Sequence, residues 1–113
     1  MESLNEALYK TQPGERRVLG YLTEIDCQPR EMIYTVKLPD KTLKLRSSSF
    51  DSVRFVAFTA EMAQTPVACG NLKNGFAVVN YHPSTDARSR FSGEMISVEF
   101  VPANFKFSVV KEE

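Results

Sequence analysis

The sequence has no tryptophan, a single histidine (His82) and no excess of either charge, with 14 lysines and arginines against 14 aspartates and glutamates. Each scarcity excludes something. A domain built to grip phosphate backbones carries a basic surplus, so a zero formal net charge disfavours generic nucleic-acid binding. A nucleophile-base pair needs a base, and His82, between Tyr81 and Pro83, is the one histidine there is. No Gly-x-Ser-x-Gly, phosphate-cradling glycine loop or His-Glu-x-x-His occurs. Two cysteines without a Cys-x-x-Cys or a finger spacing give no metal site. The expectation is a non-enzyme without cofactor or metal.

Long apolar runs are absent too. None approaches the roughly 20 residues that cross a bilayer as a helix, so no membrane partner is expected. The opening Met1-Glu2-Ser3-Leu4-Asn5-Glu6 lacks the basic start and apolar stretch of a signal peptide. If this is the whole chain, that points to the cytoplasm. If it is a fragment of a secreted protein with a Cys27–Cys69 disulfide, it points outside.

What is present is ordinary core material: 42% hydrophobic residues, with eight Phe and four Tyr, in a length that fits one domain. Ser3 and Glu6 form a capping-box pattern with Leu4, Ala7 and Leu8 on one face, which predicts a short helix over 3–11 stopped at Pro13-Gly14. Residues 1–14 are thus read as helix and linker, and 15–113 as the β domain.

From there the period is two. Met32, Tyr34, Val36 and Leu38 alternate with Ile33, Thr35 and Lys37, Pro39-Asp40-Lys41 turns, and Leu43 and Leu45 alternate again, which predicts a hairpin. Between Val18 and Cys27 the inward parity slips, from Val18, Gly20 and Leu22 to Ile25 and Cys27. A slip of one residue reverses every side chain, so a bulge is expected near Thr23-Glu24, with Gly20 as a second bending point. Further strands are expected over 53–60, over 76–81, over 95–101 with Ile96, Val98 and Phe100 inward, and in the tail from Phe105 to Val109. The sum is an all-β fold of five to seven strands. A small OB-like barrel, closed or partly open, accounts for a curled first strand followed by a hairpin, and a β-sandwich is the alternative.

Several residues carry candidate chemistry. Cys27 and Cys69 stand 42 positions apart, and two readings remain open: a disulfide, which on the chain-entropy model contributes about 4 kcal/mol, or two buried free thiols. Phe50 and Phe91 sit in polar loops, where an aromatic either anchors a partner or folds back as a plug. Lys37, Lys41, Lys44 and Arg46 mark the outer face of the hairpin, which reads as a solvated surface.

Asn74-Gly75-Phe76-Ala77-Val78-Val79-Asn80-Tyr81 resembles the RNP1 pattern of RNA-recognition and cold-shock domains, in which strand aromatics stack on exposed bases. Phe76 and Tyr81 fit the pattern. The basic first position is Asn74 and the central aromatic is Val78, which are departures from it. The chain as a whole also resembles an OB-like accessory domain at the C-terminal ends of bacterial multidomain proteins, including tetratricopeptide-repeat proteins. The carriers are Gly20-Tyr21-Leu22, Ile25-Asp26-Cys27, Leu43-Lys44-Leu45, Cys69-Gly70, Gly93-Glu94 and Val98-Glu99-Phe100, within about residues 16–102. That resemblance implies a barrel-like module, the two cysteines close in space, no catalytic residues, and an upstream helical region that ends in the first helix. The functional expectation is an accessory binding module for a protein or for an upstream domain of the same chain. Its alternative is single-stranded nucleic-acid binding through the barrel face.

Overall fold

The computed structural model describes residues 8–60, 68–72, 75–85, 91–103 and 105, without the side chain of Phe50. Among the described residues seven strands are formed: β1 (Arg16–Cys27), β2 (Met32–Lys37), β3 (Thr42–Ser47), β4 (Arg54–Ala57), β5 (Gly70–Asn71), β6 (Phe76–Pro83) and β7 (Gly93–Phe100). Five of them, in the order β1-β2-β3-β7-β6 and back to β1, close a mixed barrel, with β4 and β5 added at its edges. The closed barrel, and not the sandwich, is the architecture.

Closure depends on β1. Its first half, Arg16 to Tyr21, pairs antiparallel with β6, and its second half, Tyr21 to Cys27, pairs antiparallel with β2. The change of partner coincides with a register shift between Leu22 and Glu24, where the inward parity of the sequence slips. The bulge at Thr23 turns Leu22 and Ile25 both into the core, where neither is exposed. Gly20 allows the bend: a β-carbon there would stand 2.6 Å from Leu38 Cδ2 and 2.7 Å from the Lys37 carbonyl oxygen.

The β2–β3 hairpin is closed by Leu38 N–H donating to the Lys41 carbonyl, around the expected Pro39-Asp40 turn. Tyr34, Val36, Leu43 and Leu45 point inward from it. Tyr34 is fully buried, and its hydroxyl lies 2.7 Å from Ser47 Oγ. Ser47 Oγ donates to the Ser49 carbonyl, so Tyr34 is the donor to Ser47. Burial pushes the Tyr34 hydroxyl above the usual tyrosine value, against a smaller opposing effect of Ser47.

β7 is the hub of the barrel. It runs antiparallel to β6 along its length, and parallel to β3 at Gly93-Glu94 and to β4 from Ser97 to Phe100. A register shift opposite Asn80/Tyr81 leaves Ile96 out of the pairing. Met95 therefore joins Val98 and Phe100 in the core while Ile96 is half-buried, which corrects the simple alternation expected from Ile96 onward.

The sheet is also covered outside. Leu8, Val78, Val101 and Phe105 form a second apolar cluster over the β1-β6-β7 face, with Leu19, Phe58 and Phe76 at its margin. Residues 8–11 reach it without helical structure, and the rest of the helix expected over 3–11 lies outside the described residues. The fourth strand is shorter than 53–60, and the tail strand expected from Phe105 onward falls, beyond Phe105 itself, outside them too.

Candidate binding surface

Among the described residues, the outward positions of β1, β2 and β3 form a broad, solvent-facing surface. The register sets Phe76, Tyr21, Lys37 and Thr42 in a row across β6, β1, β2 and β3. Glu24, Thr35 and Lys44 form a second row, and Asp26, Ile33 and Arg46 a third. The side chains share this face because inward and outward positions alternate along each strand.

Tyr21 marks one end. At 47% exposure it is the one exposed large hydrophobic side chain among the described residues. Its ring is tilted against that of Phe76, centroids 5.0 Å apart. Sequence reasoning missed Tyr21 as a site residue. The signal was available, since Tyr21 lies between Gly20 and Leu22, both of inward parity.

Phe91 marks the other end. Ser92 N–H donates to the Lys44 carbonyl and accepts, through its own carbonyl, the Ser84 N–H, which ties this loop to β3. Phe91 is thereby held between two open hollows. One, of about 250 Å3, has Arg46, His82, Pro83 and Glu94 in its walls. The other, of about 430 Å3, has Asp26, Glu31, Ile33 and Lys44.

The charged groups between them engage one another. Arg46 Nε donates to Glu31 Oε1 at 2.8 Å, and Arg46 Nη1 to Glu94 Oε2. The β3–β7 pairing places Arg46 opposite Glu94. Glu31 first, and then Glu94, hold the Arg46 proton more firmly than usual. Lys44 Nζ donates to Thr35 Oγ1 at 2.9 Å.

The other sequence candidates separate. Tyr81 is 6% exposed and points into the main core with Ala77 and Val79, whereas Phe76 lies on the outer face. Five positions apart on one strand, they face opposite ways, so the two rings do not make one stacking platform. Phe50 opens a single 3-10 turn, Phe50–Ser52, on the backbone alone. Cys27 and Cys69 come to disulfide distance, Cα–Cα 5.7 Å. That pair tethers the segment of β5, which adds to β1 through Glu24↔Asn71 and Ile25↔Gly70. Among the described residues no three His, Cys, Asp or Glu side chains converge as a metal cluster, and no helix is long and apolar enough to cross a membrane.

No known protein family, curated protein or solved structure matches this chain. The barrel therefore stands on its own strand order and register.

Proposed function

We propose that this domain is a non-catalytic binding module whose contact surface is the outer face of β1, β2 and β3, and whose partner is a protein segment or an upstream domain of the same chain. The observation that carries this reading is Phe91, pinned by the backbone bonds of Ser92 between two hollows on that face. An aromatic beside concave, mixed-charge surface, next to a residue whose backbone is bonded to β3, offers a partner an anchor. Acidic Glu24 and Asp26 beside basic Lys37 and Lys44 suit a polypeptide of both charges better than a polyanion. The pairing of Arg46 with Glu31 and Glu94 leaves these groups positioned to recognise and not to react.

One observation favours a second reading. The Tyr21–Phe76 pair beside Lys37 has the makings of a base-stacking platform for a single strand. A peptide-display selection against the whole domain, with binders mapped by amide chemical-shift perturbation, tests both. Binders that shift Phe91, Lys44 and Arg46 and weaken with Phe91→Ser support the first reading, and binders that map to other faces overturn it. An oligonucleotide titration at low salt, where electrostatic affinity is greatest, decides the second.

A further inference from the structure

Glu99 lies on the outer side of β7, opposite Val78 of β6 and Val56 of β4. It is completely buried, 0% exposed, although it is a carboxylic acid. Its cover is the N-terminal segment. Leu8 packs with Val78, Val101 and Phe105, Tyr9 N–H donates to Glu99 Oε2 at 2.8 Å, and Thr11 Oγ1 donates to Asn80 Oδ1 at 2.6 Å. Residues 9–12 belong to no strand; besides these contacts, the Glu15 carboxylate accepts from the Tyr9 hydroxyl and from Gln12 N–H, and no ladder holds them down. Glu99 Oε1 has no hydrogen-bond partner among the described residues.

A buried carboxylate with an unsatisfied oxygen is costly when ionised and tolerable when protonated. We infer that residues 8–12 are a pH-dependent strap, closed over Glu99 while its carboxyl is protonated and released as the carboxylate forms. The neighbouring groups set the balance. Burial pushes Glu99 up, and the Tyr9 amide of the strap, Arg54 of β4 and Arg17 of β1 partly oppose it. β6 contributes only neutral groups, Val78 and Asn80, and the segment after β7 contributes Val101 and Phe105. With the strap open, water solvates Glu99, the cause that raises it is relieved, and its carboxyl titrates below the closed-state value. Between the open and closed values the closed state holds a proton that the open state has lost. Opening therefore rises with pH, by up to about tenfold per unit, and levels off above the closed value. Release of Leu8 uncovers Val78 and Phe105 beside Phe76, extending apolar surface next to Tyr21. The inference stands apart from the binding-face reading.

Amide hydrogen exchange on the whole domain from about pH 4 to 8, upward from the ordinary glutamate value, tests it after correction for intrinsic rates. The expected result is a Tyr9 protection factor that falls severalfold per pH unit in wild type and stays flat in Glu99→Gln, while Val79 in mid-barrel remains far more protected than Tyr9 in both. A Tyr9 profile that is flat in wild type, or as steep in Glu99→Gln, overturns the inference. If Glu99→Gln does not fold, wild type still decides: Tyr9 and Val79 with equal protection at every pH would mean that both exchange by global unfolding, and would sink the strap.

Discussion

Tyr21 stands opposite Phe76 across the β1–β6 pairing, with the ring centroids 5.0 Å apart and the planes at 47°. Such a pair contributes about 0.5–1.5 kcal/mol beyond its buried area. Tyr21→Ser is expected to cost no more than about 2 kcal/mol in urea denaturation, since the side chain is half-exposed and outside the core. The same variant tests the stacking reading, because it removes the exposed ring without disturbing Leu22.

The cysteine pair closes a loop with a sequence separation of 42. Oxidised wild type is expected to be up to about 4 kcal/mol more stable than reduced protein, and the double variant Cys27→Ser/Cys69→Ser to match the reduced form. Denaturant midpoints with and without reductant measure this. A wild type indifferent to reductant would show that the pair does not bridge.

Gly93 and Gly70 separate two kinds of glycine requirement. A β-carbon at Gly93 would collide with the His82 carbonyl oxygen across the β6–β7 edge. Gly93→Ala forces the two strands apart and is expected to cost about 1–3 kcal/mol or more. Gly70 has φ of 111° and open space around it, so Gly70→Ala meets backbone strain alone, about 1–2 kcal/mol. Chemical denaturation of both variants, with the chemical shifts of His82 and Glu94 followed in the first, tells displacement from strain.

Glu99 also predicts the pH dependence of global stability. Burial raises it above the ordinary glutamate value, so between the two values the folded state holds a proton that the unfolded chain has released. Its contribution is fully present below the unfolded value and is lost as pH rises through the folded one. This part of the melting temperature is expected to decline as pH rises above about 4.3, where ordinary glutamates ionise. Glu99→Gln removes that part of the decline. An identical decline in the variant would assign it to other groups.

The Arg46 bridges are expected to matter little for folding. Both partners are partly exposed, and pairs of this kind contribute at most about 1 kcal/mol. Glu94→Gln should change the denaturation midpoint only slightly, and should reorient Arg46 beside Phe91, visible in the Arg46 Nε–H resonance.

The sequence by itself determined the hairpin of Met32 to Arg46 and the bulge near Thr23, because one face of each strand is apolar and a period of two has only one register that buries it. It put Ile96 inward with Val98 and Phe100, although Met95 and Ile96, two adjacent apolar residues, satisfy either phase. The partner strand decided it, through the shift opposite Asn80/Tyr81. The same holds for the aromatics. Phe76 and Tyr81 share a motif in the sequence and opposite faces in the barrel, while Tyr21 and Phe76, 55 positions apart, meet across one ladder. The parallel pairing of β7 with β3 and β4, the approach of Cys69 to Cys27, the setting of Phe91 and the burial of Glu99 are likewise tertiary. Local propensity fixes which way a side chain leaves its own strand. Which strand, loop or strap it then meets depends on long-range closure, which no local pattern encodes.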